Sequence, residues 1–184
     1  MWLLESLDAA DAGVHARSRV QYRGKLYRAL NPVYAREPLS GRGAKLYGGR
    51  FNPKGAPALY LSLSLDTAIR EANRAGSLQP TTIVAYDADI DNVFDTRDTD
   101  ALAGLSLTAS DLADPAWRDL MKRDGIAPTQ QFALGCIAQG HHGLLVRSFA
   151  RGTGEGDSNL GLRVWGDAGP ARLAVADDQD RLRI

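Results

Sequence analysis

The stretch Tyr47–Ser62, "YGGRFNPKGAPALYLS", decides how the chain folds, because it sets a rigid loop directly ahead of a strand. Across residues 58–64, "ALYLSLS", Leu59, Leu61 and Leu63 share one face and Tyr60, Ser62 and Ser64 the other. That period of two predicts a half-buried β-strand. The loop before it holds Gly48, Gly49, Pro53 and Gly55 around Arg50. Glycine admits backbone angles and close approaches that a Cβ forbids, and proline stiffens the turn. Two readings stay open: a tight hairpin connection, or a mount that presents the Arg50 guanidinium and backbone N–H groups to an anion.

Working outward, "VQYRGKLYRAL" (20–30) alternates loosely and reads as a strand, with Gly24 as a bend or bulge. Residues 31–55 carry Pro32, Pro38, Pro53 and five glycines. A connection that long without regular structure is more often functional than passive. Downstream, Asp66 is expected to cap a helix that carries Glu71 through about Ala75 and ends near Gly76. "TTIVAYDAD" (81–89) reads as a strand buried on both faces around Ile83 to Tyr86, followed by an acidic connection, Asp91 to Thr108, with one helical turn. A helix capped by Asp114, with Pro115 at its first position, is expected next, then a helix over 128–140. Strands follow at 143–148, 159–165 and 171–176. Strands mixed with helices, rather than strictly alternating, point to a single α+β domain over 19–184. Residues 1–18 read as a tail or short helix.

Composition fits that reading. Of 184 residues, 44% are hydrophobic and 24% charged, ordinary values for one globular domain. The single Cys136 has no internal disulfide partner, which suits a reducing cytoplasm. "MWLLESLDAADAG" lacks a basic leader, and its apolar run stops at Glu5, so neither a signal peptide nor a membrane span is expected. The net charge of zero hides an asymmetry. Residues 1–85 hold 12 Lys and Arg against 6 Asp and Glu, and residues 86–184 hold 10 against 16, so the halves carry +6 and −6. Between Arg17 and Lys54, ten basic residues interleave with Tyr22, Tyr27, Tyr34, Tyr47 and Phe51. Such a face suits phosphates with flat rings, on a nucleotide or on nucleic acid. The plainer alternative is that the acids of the second half fold back against it.

Several chemistries are disfavoured. No Gly-Lys-Ser/Thr follows the glycine loop as a Walker site requires, and no Gly-x-Gly-x-x-Gly joins a strand to a helix. His141 and His142 have no neighbouring ligand cluster for zinc, so no metal is expected. What remains are polar residues at strand ends: Arg28, Arg50, Tyr60, Glu71, Ser148 and Asn159.

The blocks "LYRAL", "GGRFNPKGAPALYLSLSLDTAIREA" and "GLLVRSF…NLGLRVW" resemble the RES domain, named for its Arg, Glu and Ser, over residues 20–165. Within that family "LYRALNPVYAREPLSGRGAKLYGGRFNPKG" is most similar to the ParT branch. The resemblance implies an ADP-ribosyltransferase-like fold with mixed and antiparallel sheets flanked by helices. It also implies a cytoplasmic toxin with NAD as substrate, restrained by a cognate antitoxin with an Xre-type DNA-binding domain. Carried over residue by residue, it makes Arg28, Glu71 and Ser148 the namesake catalytic residues and adds Arg50, Tyr60 and Asn159 to the NAD pocket. Many relatives have Trp where this chain has Phe51. The ParT likeness implies a protein acceptor for ADP-ribose, phosphoribosyl pyrophosphate synthetase, with phosphate or water as the alternative. A nucleic-acid-binding module using the basic face is a second alternative; on the enzyme reading no direct nucleic-acid or membrane contact is expected. Breaking the nicotinamide–ribose bond builds positive charge on the ribose, as in glycoside hydrolysis. Glu71 would stabilise that charge, Arg28 and Arg50 would clamp the pyrophosphate, Tyr60 would orient the nicotinamide, and Ser148 would hold ribose or amide.

Overall fold

A computed structural model describes residues 18–73 and 79–181. The chain runs β1 (Arg19–Leu30), a 3-10 turn (Pro32–Tyr34), α1 (Arg42–Tyr47), β2 (Leu59–Ser62), α2 (Leu65–Ala72) and β3 (Thr82–Asp95). Then follow α3 (Thr99–Gly104), α4 (Ala109–Ala113), α5 (Trp117–Asp124), α6 (Pro128–Ala138), β4 (Gly143–Arg147), β5 (Ser158–Leu162) and β6 (Ala171–Val175). The sheet order is β1-β2-β5-β4-β3-β6, and a further β1–β3 ladder closes the first five strands into a barrel. The α+β class therefore holds, with the mixed and antiparallel strands joined in one closed sheet. Among the described strands only the β3–β4 pairing is parallel; the other strand pairings are antiparallel.

The β1–β3 ladder is the longest, running in register from Leu30↔Thr82 to Arg19↔Phe94. Its one irregularity lies between Val20 and Tyr22, and Gly24 pairs regularly with Ala88, so the bulge expected at Gly24 sits earlier. Part of the charge asymmetry of the sequence is met on this ladder. Arg23 meets Asp89 at 3.0 Å and Lys25 meets Asp87 at 2.7 Å. The Gln21 side-chain amide donates to Asp89 as well. These exposed pairs add little stability each, but they neutralise the β1 part of the basic face.

Inside the barrel lie Leu26, Leu59, Leu61, Tyr86, Ile90, Leu160, Leu162 and Leu173, all 0–1% exposed. Burying each such side chain contributes roughly 1.5–3 kcal/mol. Around Ile83 to Tyr86, β3 buries one face only: Val84 and Tyr86 point inward while Ile83 is 39% exposed, which corrects the expectation of burial on both faces there. A second core, with Phe51, Phe94, Leu102, Leu112, Ala133, Cys136, Leu144 and Val146, packs α3, α4 and α6 against the outside of β4. Trp117, Met121 and Ala127 form a third, smaller cluster.

Three local expectations change. The loop 31–55 is not without structure, since it holds the 3-10 turn and α1. Ser64, not Asp66, caps α2 by accepting from the Thr67 N–H at 3.1 Å; Asp66 sits in the first turn, where an acid complements the helix dipole. Asp114 accepts from the Ala116 N–H, but α5 begins only at Trp117, and the preceding segment forms α4 with a capping box of Thr108 and Asp111. The expected extension of α2 to Gly76 and the N-terminal tail or helix fall outside the described residues, apart from Ser18. Among the described residues no helix is long and apolar enough to cross a membrane.

Candidate active site

Four secondary-structure elements converge on one carboxylate. Glu71, in the last turn of α2, accepts on Oε1 from the Ser148 hydroxyl and from the Asn159 amide, each at 2.6 Å. Asn159 stands on β5 opposite Ser62 of β2, whose hydroxyl donates to Asn159 Oδ1 at 2.7 Å. Ser148 directly follows β4 and is 9% exposed. Strand register and a helix turn thus fix the orientation of Glu71 through both donors. The sequence placed Glu71, Ser148 and Asn159 far apart, and the fold brings all three into direct contact. Ser62 was legible only as part of the polar face of β2.

Ser62, Glu71 and Asn159 of this cluster line a cleft of about 500 Å³, within the range of small-molecule sites, while Ser148 reaches it only through Glu71. Arg28, Arg50 and Arg118 contribute cations, and Tyr27, Tyr47, Tyr60, Trp117 and Phe149 contribute rings. Glu71 is the carboxylate among the described lining residues.

The glycine loop forms one wall, and its rigidity has identifiable causes. Gly48 ends α1 with φ 72°, a left-handed angle that favours glycine, and a Cβ there would meet Met121 Sδ at 2.8 Å. A Cβ on Gly49 would lie 2.6 Å from Asn52 Oδ1 and 2.7 Å from the Tyr60 hydroxyl. The fully buried Asn52 donates from Nδ2 to the carbonyls of Ala44, Pro53 and Ala56. α6 fastens the other side: Thr129 donates to the Arg50 carbonyl, and Gln130 donates to those of Gly49 and Asn52. Asn52, Thr129 and Gln130 were not anticipated, because the groups they satisfy are backbone carbonyls brought in by tertiary packing.

Tyr60 and the two expected arginines also serve this scaffold. The Tyr60 hydroxyl donates to Asn52 Oδ1 at 2.8 Å and accepts from the Phe51 N–H at 3.1 Å. Burial drives its phenol far above the usual tyrosine pKa, so it stays a neutral donor. The hydroxyl fixes the loop while the ring lines the cleft. Phe51 is buried beside Phe149, with ring centroids 6.3 Å apart. Arg50 donates from Nη1 to the carbonyls of Leu112 (3.0 Å) and Asp114 (2.7 Å). Its guanidinium carbon lies 4.4 Å from the Phe149 ring centre and 5.7 Å from that of Trp117. Arg28 donates from Nη1 to the carbonyls of Pro38 and Ser40, and burial lowers its pKa. The Tyr86 hydroxyl shares the Pro38 carbonyl, and burial pushes that phenol up to about 12. Both arginines bring positive charge to the cleft while bracing its walls.

Comparison with known proteins adds the lineage. The model of the RES domain matches residues 25–183. The chain belongs to the RES domain family. This RES domain is 46% identical over 46 residues to "Toxin Res" of Photorhabdus laumondii, a match covering 25% of this chain and 30% of that protein. It is 36% identical over 80 residues to "NAD(+) phosphorylase MbcT" of Mycobacterium tuberculosis, covering 41% and 42% respectively. The matched stretches therefore span less than half the length of these relatives. Its fold is similar to a chain in the crystal structure of the M. tuberculosis MbcT–MbcA toxin–antitoxin complex, with a TM-score of 0.64, 22% identity, and coverage of 92% of this chain and 90% of that one.

Proposed function

We propose that this RES domain cleaves the nicotinamide–ribose bond of NAD and passes ADP-ribose to inorganic phosphate. One observation carries the reading: among the described lining residues a single carboxylate, held by Ser148 and Asn159, shares a cleft with three guanidiniums and several aromatic rings. The cations suit the dinucleotide phosphates and the rings suit its bases. As the C–N bond breaks, its electron pair returns to the nicotinamide nitrogen and positive charge grows on the ribose. Glu71 stabilises that charge, and Ser148 and Asn159 hold its oxygen in place. A phosphate oxygen then bonds to the anomeric carbon. Arg28 and Arg50 supply positive potential from fixed positions; the pyrophosphate clamp first expected of them shares their Nη1 with the carbonyls they already serve. Phosphate is preferred over the protein acceptor suggested by the ParT likeness because the MbcT relative is named as an NAD(+) phosphorylase.

A cognate antitoxin belongs to this reading. The MbcT neighbour was solved with MbcA as a toxin–antitoxin complex, and the cationic cleft here suits an acidic or carboxylate-ended segment. The deciding experiment incubates the protein with NAD and labelled phosphate and follows nicotinamide and label. Phosphate-dependent nicotinamide release, with label on ADP-ribose, is the expected result. Unlabelled ADP-ribose would move the acceptor to water, and NAD left intact with and without phosphate would overturn the reading.

A further inference from the structure

Among the described residues three guanidiniums line the cleft, and two of them donate to backbone. Arg28 and Arg50 each donate from Nη1 to two carbonyls. Arg118, in the first turn of α5, is placed differently. It is exposed, and its guanidinium carbon lies 4.8 Å from the centre of the Trp117 ring. Among the described residues it meets no hydrogen-bond acceptor and no carboxylate. The nearest acid along its helix, Asp119, lies beside Lys122 at 3.9 Å. Trp117 is only 7% exposed and packs with Met121 and Ala127, so the ring is a fixed platform. That ring has Arg50 5.7 Å from its centre as well. Two cations therefore share one indole at the edge of the cleft, and α5 adds no carboxylate to the lining.

We propose that Arg118, seated on Trp117, is a subsite for a phosphate group. A guanidinium stacked on a ring has already lost part of its side-chain freedom, and its in-plane N–H groups match two phosphate oxygens. Stacking leaves those edge donors available. The proposal rests on the NAD reading, which offers two sources of this group: the pyrophosphate of the dinucleotide and the phosphate acceptor.

Steady-state kinetics of wild type and Arg118→Ala, with NAD and phosphate varied in turn, test it. The substitution is expected to raise one KM about tenfold with kcat within about twofold, and Arg118→Lys to recover only part. A rise confined to NAD assigns the subsite to the pyrophosphate; a rise confined to phosphate assigns it to the acceptor. Both KM values unchanged would overturn it. If wild type releases no nicotinamide, the NAD reading fails by itself. Calorimetric titration of wild type and Arg118→Ala with inorganic phosphate then decides: weaker binding by the variant supports the subsite, and equal affinity sinks it.

Discussion

A glutamine at position 71 keeps the oxygen that Ser148 and Asn159 bind and removes only the charge. Glu71→Gln is therefore expected to fold normally and bind NAD with near-normal affinity, while nicotinamide release falls by roughly two or more powers of ten, the size of losing one preorganised electrostatic contact. Matched thermal melts and single-turnover kinetics check it; near-normal turnover would remove Glu71 from the chemistry. At this scale the sequence was informative about which side chains meet in the fold and poor about what each one touches. Glu71, Ser148 and Asn159 stood out by their polar side chains, and the fold unites them. Arg50 was read only in part: its glycine-rich mount suggested presentation to a ligand, and it does line the cleft. Its guanidinium also holds the C-terminal end of α4 through the carbonyls of Leu112 and Asp114, bonds that only tertiary structure reveals.

Elements matter through how α2 is docked, since it carries Glu71. Thr67, fully buried, donates to Asp157 Oδ1, and Asp157 Oδ2 accepts from the Gly154 N–H. Arg70 donates to the Gly152 carbonyl, and the Asp157 carbonyl accepts from the Ser148 N–H at 2.8 Å. One aspartate thus braces both the helix of Glu71 and the backbone of Ser148. The Thr67 hydroxyl, with help from the Gly154 N–H and Arg70, lowers the Asp157 pKa below the usual carboxylate range. A carboxylate depressed on folding stabilises the native state above its unfolded pKa of about 3.9, and that stabilisation is lost as pH falls through the lower native value. Urea midpoints measured from pH 7 to pH 2 are therefore expected to fall less steeply at the acid end in Asp157→Asn than in wild type. The same variant should lower kcat while leaving the KM for NAD near its original value. Parallel acid limbs would remove Asp157 from the docking. The β-strands were readable from period-two patterning to within a few residues, apart from the extension of β3 to Asp95. The start of α2 was missed by two residues because Asp66 outranked Ser64 as a cap on charge alone, whereas the cap is decided by which oxygen reaches the Thr67 N–H.

For the whole molecule, closure is what a linear sequence hides. Alternation shows which face of a strand is buried, and nothing in it states that β1 and β3, more than 50 residues apart, pair along nearly their full length. The opposite charges of the two halves were a usable hint, and they became the Arg23–Asp89 and Lys25–Asp87 pairs. Small residues let the barrel close where strands crowd. A Cβ on Gly143 of β4 would meet the Gly161 carbonyl at 2.7 Å and Leu162 Cδ2 at 2.9 Å. Because the first obstacle is backbone, Gly143→Ala is expected to cost about 1–3 kcal/mol, read from the shift in the denaturant midpoint. An unchanged midpoint would mean that the strands part easily there.

The barrel is closed unevenly. β2 meets β5 over four register pairs and β1 over only one, Tyr27↔Ser62, and Tyr27, Arg28 and Ser62 all line the cleft beside that junction. A barrel hooped tightly on every side but one breathes at that side. Native-state hydrogen exchange should find the amides facing this gap opening with free energies well below that of global unfolding, while the β1–β3 ladder exchanges only with the whole domain. A molecule filling the cleft would lean on both sides of the gap at once, so its binding should appear first as slowed exchange along that one weak stave.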